Sequence, residues 1–354
     1  MTHSAQLTIN LAAIASNWHL LGTKAQSAEC GAVVKANAYG CGMKQVVPAL
    51  LKAGCKTFFV AHLSEGIVLR KIDRQAIIYV FNGLAPGSAK DFKDNNIRPV
   101  LNSPEEVHEW LGAFSNPPPY AIHFDTGMNR LGIKPQQVDE LPDCEPALVT
   151  SHFVESEKMD SAINQKQIDL FENMRAMFPL SNASMANSSA IFLKQQPYFD
   201  LARPGVALYG ANPTPATPNP MQNVVTLQAP VLTVKTIHVG ETAGYCGIWA
   251  AKRDTCLITL PVGYGDGFLI SGSNTGDNSG AQIFWDGANY PVIGRISMDT
   301  MIVDVTDAKN PPQRGDMVEI IGENLPVDTV AASLKTIAYE VLTGLGQRYE
   351  RHYI

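Results

Sequence analysis

The sequence predicts a (β/α)8 TIM barrel followed by a mostly β domain, an α/β architecture with an all-β appendix. Three observations carry that expectation. Between about residues 30 and 210, eight short β-branched runs alternate with helix-like segments, the pattern of parallel strands joined by crossover helices. No G-x-G-x-x-G loop follows the first run, which disfavours the rival arrangement, an open doubly wound sheet. At ANPTPATPNP (211–220) the composition turns to Pro, Asn and Thr, and the strand-like runs beyond it are separated by turns instead of helices. The expected division is a barrel domain over 1–218 and a β domain over 219–354, two cores in a chain too long for one.

Taken in order, GAVVKANA (31–38) reads as a buried strand and MKQVVPALLKAG (43–54) as a helix closed by glycine. TFFVAHL (57–63) leads into SEGIVLRKI, where Ser64 is the candidate N-cap. QAIIYVFN (75–82) and IRPVLN (97–102) are the next strands, with a polar segment around 87–96 between them. SPEEVHEWLGAF (103–114) has Ser as cap, Pro at the first helical position and glutamates in the first turn. YAIHFD (120–125), ALVTSHF (147–153), ASMAN (183–187) and YFDLA (198–202) complete the eight, with a helix at 161–178. In the second domain VVTLQAPVLTVKTIHV, TCLITLPV, AQIFWDG, YPVIGRISMDTMIVDV and DMVEIIG are strand-like, and one helix is expected at 328–342. QLTIN (6–10) can add a strand to this domain, with LAAIASNWHLL (11–21) as a helix before the barrel.

The bulk composition narrows the function. A net charge of −6 with no basic run argues against a nucleic-acid partner. Six scattered cysteines without C-x-x-C spacing suggest neither a zinc site nor a disulfide framework, and no metal is expected. There is no signal-peptide pattern and no apolar run near the ~20 residues that span a bilayer, so a soluble, cytoplasmic protein is expected.

In such a barrel the chemistry sits on loops at the carboxyl ends of the strands. Lys35 and Tyr39 follow the first strand, Asp125 to Arg130 the fifth, His152 closes the sixth, and Asn187 and Ser188 the seventh. Arg203 ends the eighth, just before Gly205 and Val206. Each has a plain structural reading: a hydrogen-bonded histidine, an Arg130–Asp125 pair, a helix cap from NSSA, a Pro-Gly turn. Their coincidence at one end of one barrel weighs against those readings, and Lys35 most of all. Burial after Val33 and Val34 lowers a lysine's pKa, and the neutral amine attacks carbonyls to form a Schiff base. A phosphate needs amide and hydroxyl donors of the kind that Tyr39, Ser188, Gly205 and Val206 supply. Lysine, phosphate cradle, flat histidine and arginine together point to pyridoxal phosphate.

At these residues the sequence resembles the alanine racemase family, the type III fold of pyridoxal-phosphate enzymes. AVVKANAYGCG (32–42), GMNRLG (127–132), RPGVALYG (203–210), AGYCG (243–247), PVGYGDG (261–267) and GRISMD (294–299) match in order over essentially the whole chain. The resemblance implies a head-to-tail homodimer that interconverts L- and D-alanine and supplies D-alanine for peptidoglycan. It implies that Lys35 holds the cofactor and handles the α-proton on the D side, and that Tyr245 of the partner subunit handles it on the L side. Arg203 would sit at the pyridine nitrogen and His152 beside the ring. Tyr39, Ser188, Gly205 and Val206 would take the phosphate, and Asn187 would lie beside the cofactor. Arg130 and the Met298 amide of the other chain would hold the substrate carboxylate, with Tyr264, Arg295 and Asp299 near the mouth.

The roles are physically consistent. Racemisation takes hydrogen from one face of the α-carbon and returns it to the other, so two bases must flank it, and Lys and Tyr have reference pKa values near ~10. An arginine at the pyridine nitrogen does not give up its proton, which leaves a weaker electron sink and restrains side reactions such as transamination. Three positions depart from the family. His123 stands where relatives often carry a lysine modified to a carbamate, leaving a bound anion or His123 itself to position Arg130. Cys41 replaces a usual histidine, and FLISG replaces an arginine after PVGYGDG. The alternatives are a racemase of other specificity, for instance for serine, a decarboxylase of the same fold type, a non-catalytic pyridoxal-phosphate carrier, and a barrel without cofactor. Arg203 argues against the decarboxylase, whose relatives place a carboxylate at the pyridine nitrogen. The β domain and Tyr245 argue against the carrier, which resembles the barrel alone.

Overall fold

Seven parallel strands follow one another in chain order: Ala32–Val33, Thr57–Val60, Ile77–Val80, Arg98–Leu101, Ala121–His123, Leu148–Thr150 and Asn182–Ser184. The computed structural model describes residues 4–276 and 280–354. An eighth strand, Leu201–Ala202, closes the ring. On one side Asp200 and Arg203 donate to the carbonyls of Ala183 and Ala186 at 3.0 and 2.8 Å. On the other, Gly31 and Val33 donate to Ala202 and Pro204, both at 2.9 Å. The barrel is therefore closed, as the alternating pattern implied. Its strands are buried apolar runs, Thr57–Val60 completely so, because both faces are covered in a barrel wrapped by helices.

Most helices follow their sequence signals. Leu11–Lys24 is capped by Asn10, whose Oδ1 accepts the Ala13 amide, and Met43–Ala53 ends on Gly54 in the left-handed region. Pro104–Gly112 and Ala162–Arg175 begin on the side chains of Ser103 and Ser161. The polar segment before the fourth strand contains a short helix, Ala89–Asp94.

Several details differ from the sequence reading. The first strand stops at Val33, and Ala36, Asn37, Ala38 and Tyr39 all have positive φ between 51° and 56°, a left-handed turn. Alternation of small residues cannot announce a conformation that L-residues disfavour. Ser64 is not a cap: the helix Leu63–Ile72 begins after His62, and Glu65 takes the amides of Ala61 and His62. The expected helix at 328–342 is two, Val327–Ser333 and Ala338–Thr343, broken at Lys335 with φ 57°.

The second domain is a nine-stranded sheet in the order Thr233–Ile237, Thr255–Leu260, Met301–Asp304, Ala288–Ile293, Gln282–Trp285, Met317–Ile321, Val225–Pro230, Gln6–Ile9 and Glu350–Tyr353. Gln6–Ile9 runs antiparallel to Val225–Pro230 and parallel to Glu350–Tyr353, so the first strand of the chain belongs to this sheet. The last strand had no sequence signal, since ERHY is polar and half exposed. Among the described residues no helix is long and apolar enough to cross a membrane.

Candidate active site

The left-handed turn after Val34 is what aims Lys35. Three groups hold it: Glu65 Oε1 accepts the Ala36 amide at 2.6 Å, Asn37 Oδ1 accepts the Met43 amide at 2.9 Å, and Arg351 Nη1 donates to Gly40 O at 2.7 Å. Gly40 is obligatory here, because its φ is 78° and a Cβ would lie 2.1 Å from Leu342 O. Lys35 thus stands where the barrel mouth meets the C-terminal domain.

Two cavities meet at this lysine. One, of about 320 Å³, lies over the barrel axis and is lined by Lys35, Phe81, His123, Arg130, His152 and Arg203 among others. The other, of about 450 Å³, lies between the lysine turn and the C-terminal helices and includes Lys35, Tyr39 and Tyr339. Burial and the nearby Arg130 lower the Lys35 pKa from its ordinary value, with Glu65 opposing. The ammonium also sits 5.8 Å from the centre of the Phe81 ring.

Arg203 is buried at the base of the first cavity, with no carboxylate partner among the described residues. Its guanidinium donates to Ser184 Oγ and, at 2.6 Å, to Ser151 O, and it lies 5.8 Å from the Phe59 ring centre. Burial draws its pKa down to about 9, which leaves it cationic at neutral pH. His152 is drawn down to about 3 by burial first and then by Arg203, His123, Arg130 and Lys35. His123 falls to about 4 through burial, Arg203 and Arg130, with Asp125 opposing. Both imidazoles are therefore neutral at pH 7, flat and apolar-faced, in a cavity whose fixed charges are all positive.

Tyr39, Ser188, Gly205 and Val206 form a cradle beside this lysine. Ser188 Oγ accepts the Gly205 and Ala207 amides at 2.9 and 3.3 Å. A Cβ on Gly205 would lie 2.5 Å from Tyr39 Oη, so only glycine leaves that space open. Tyr39 stacks on Tyr209 with ring centres 4.7 Å apart, and Tyr209 is anchored to Val33 O at 3.0 Å. Asn187 is already engaged: its Oδ1 accepts from Ser156 Oγ and the Ala190 amide, both at 2.9 Å. Within NSSA, Asn187 thus holds the first amide of the short turn Ala190–Phe192, and Ser189 at its N-cap makes no side-chain cap bond. Asp125 does not pair with Arg130; its Oδ1 takes the amides of Gly127 and Asn129.

Tyr245 and Met298 line neither cavity. They lie on the β domain at 67% and 53% exposure, with Tyr264 at 46%. The loops that carry them are packed together. Gly244 sits against Arg295, the Tyr264 amide donates to Ser297 O at 3.0 Å, and the Gly265 amide donates to Met298 O at 2.8 Å. Asp299 is paired with Arg348 at 2.7 Å, and Arg348 also grips the buried Asp266. One chain therefore carries a lysine cavity in the barrel and, on a separate exposed face of the β domain, Tyr245.

Sequence reasoning missed Glu65, Asn102, Ser184 and Tyr339. Tyr339 lines the second cavity, 6.1 Å from the Tyr39 ring centre, and burial raises its phenol to about 12. On an amphipathic helix it is indistinguishable from a core aromatic. Only Glu65 had a signal, as an acid in a helix's first turn, and that signal did not predict its reach to Ala36.

The residues fit pyridoxal phosphate: an amine of lowered pKa, a space that any side chain at 205 would fill, and a buried guanidinium lacking a counter-charge. Comparison with known proteins agrees. The model of the alanine racemase N-terminal domain matches residues 9–213 and that of the C-terminal domain 224–353. An alanine racemase of Methylobacterium nodulans is 46% identical across 100% of this chain and 97% of its own, and one of Rhodospirillum rubrum is 41% identical across 99% and 96%. The crystal structure of alanine racemase from Bartonella henselae with covalently bound pyridoxal phosphate superposes with a TM-score of 0.93 at 37% identity, covering both chains completely. With both halves matched end to end, the chain belongs to the alanine racemase family.

Proposed function

We propose that this protein interconverts L- and D-alanine, with pyridoxal phosphate held by Lys35, and that its working form is a homodimer. The observation that carries the reading is the presence on one chain of a reactive lysine in a cationic cavity and an exposed tyrosine on a separate face. Pyridoxal phosphate, when bound, supplies the electron sink that acidifies the substrate α-carbon. Tyr39, Ser188, Gly205 and Val206 would hold its phosphate, Arg203 would take the pyridine nitrogen, and His152 and Asn187 would lie beside the ring. Arg203 keeps its proton, so it would bind the ring without protonating it.

Lys35 moves the proton at one face of the α-carbon. Burial and the nearby Arg130 lower its pKa, which favours the free amine that a general base needs. Tyr245 of the partner subunit moves the proton at the opposite face. Arg130 and the Met298 amide of the partner subunit bind the substrate carboxylate, and Tyr264, Arg295 and Asp299 border the mouth. The aromatic face around Tyr245 and Tyr264 is the surface that dimerisation would bury. The D-alanine formed feeds peptidoglycan. A fold type III decarboxylase is disfavoured by Arg203 at the position of the ring nitrogen's partner.

The test is incubation of the holoenzyme with L-alanine or D-alanine in deuterium oxide, following optical rotation and α-proton exchange together. Exchange with inversion is expected from either enantiomer. Carbon dioxide release, or exchange with retention only, would overturn the assignment.

A further inference from the structure

Arg130 makes no hydrogen bond or ion pair among the described residues, although it lines the cavity with Lys35 and is exposed. What would fix its angle? The Asn102 amide supplies the first half of the answer. Its Nδ2 donates to Phe81 O at 3.1 Å and Val100 O at 2.9 Å, so both amide hydrogens are used and Oδ1 can only accept. That oxygen lies 2.8 Å from His123 Nδ1. Nδ1 therefore carries the hydrogen of a neutral imidazole, and Nε2 keeps a lone pair. Asn102 is itself held, its backbone amide donating to Glu106 Oε2 at 2.9 Å.

The second half is the loop that carries Arg130. It opens and closes on His123: the Ile133 amide donates to His123 O at 2.8 Å and the Asp125 amide to Ile133 O at 3.0 Å. Asp125 ties the interior through the Gly127 and Asn129 amides. Gly132 packs so closely that a Cβ there would stand 3.2 Å from His123 Nδ1. Arg130 is thus delivered by a stiff loop to the wall that His123 shares. Among the described residues, an acceptor without a donor and a five-donor guanidinium without an acceptor line one cavity.

We propose that His123 is the positioning residue for Arg130: its Nε2 lone pair accepts a guanidinium N–H and sets the angle at which Arg130 meets the substrate carboxylate, with Asn102 fixing the tautomer. The proposal rests on the reading of Arg130 as the carboxylate ligand. The remaining donors of Arg130 then point as a fork at the two carboxylate oxygens.

Propionate, a carboxylate without the amine, is the probe, titrated into holoenzyme. Arg130→Ala should weaken its binding by more than about tenfold, and unchanged affinity there would overturn the reading of Arg130 itself. His123→Phe keeps the ring shape and removes the acceptor; a weakening of about tenfold is expected, with KM for both alanine enantiomers raised and kcat little changed. His123→Gln, which restores a neutral acceptor and stands on its own if the Phe variant does not fold, should bind within about threefold of wild type. The double variant Arg130→Ala/His123→Phe should be no weaker than Arg130→Ala alone. Wild-type affinity in His123→Phe, full additivity in the double variant, or equal loss in Gln and Phe would overturn the proposal. So would a wild-type affinity that depends on added chloride, which would give the role to a bound anion.

Discussion

Glu65→Ala is the perturbation that probes the lysine turn, because Glu65 holds its backbone; it also removes the charge that opposes the lowering of the Lys35 pKa. The carboxylate accepts amides at 2.6 Å from Ala36, 2.8 Å from Ala61 and 3.1 Å from His62. At ~1 kcal/mol net per bond, three lost bonds come to about 3 kcal/mol. Ala36 is exposed, so water replaces part of that bond and about 2 kcal/mol is the expected loss. The turn it restrains is costly in its own right, each left-handed L-residue carrying ~1–2 kcal/mol. The loss therefore falls first on the presentation of Lys35. If it fell wholly on the cofactor-bound state, affinity for pyridoxal phosphate would drop about thirtyfold. Apoenzyme is titrated with the cofactor by absorbance, and urea unfolding is run on the same samples. Glu65→Gln, which retains one acceptor oxygen, should fall between the two. An alanine variant with wild-type unfolding midpoint and wild-type cofactor affinity would refute the claim that Glu65 holds the turn.

Gly205→Ala places a methyl 2.5 Å from Tyr39 Oη, and Tyr39 cannot retreat past Tyr209; overpacking of ~1–3 kcal/mol should weaken cofactor binding by tenfold or more, read in the same titration. Ser184→Ala strips one acceptor from the buried Arg203 and should destabilise the fold by ~1–3 kcal/mol in thermal unfolding. The folded-state pKa values of His123 and His152, about 4 and 3, lie below the ordinary 6.5, so the unfolded chain binds the extra protons. Stability should therefore fall as pH drops from about 6.5 towards 3 and stay insensitive to these residues above pH 7; a urea midpoint unchanged between pH 7 and pH 5 in wild type would contradict that sign. Tyr245→Phe should cripple the L-to-D direction while leaving the cofactor bound, and full activity in both directions would remove Tyr245 from the chemistry.

The barrel was legible because its signal is repetitive: eight buried strands, each bracketed by turn and cap residues, state the same period many times. Lys35, His152 and Arg203 were legible because a charged or polar group at a strand end is locally conspicuous. What could not be read is whatever depends on a partner far along the chain. Ser184 and Ser151 hold Arg203, yet neither differs in sequence from a hundred buried serines. Asn102 looks like a strand-end asparagine until its amide is seen committed to Phe81 and Val100. The left-handed turn at 36–39 begins within GAVVKANA, read from sequence as a strand, and it is held by Glu65 and Arg351 through bonds that span 29 and 311 residues.

The strand Gln6–Ile9 is made early in synthesis but sits between Val225–Pro230 and Glu350–Tyr353, both of which emerge from the ribosome much later. The barrel that lies between them in the sequence can close while its leading strand still waits for both neighbours. Completion of the sheet consequently waits until Glu350–Tyr353 has been made, at translation speeds of ~5–20 residues per second. Tyr245 lies in the turn between Thr242–Ala243 and Trp249–Ala250, a separate two-stranded sheet that is also made after the barrel. The lysine-bearing barrel is thus made in full before the segment that carries Tyr245.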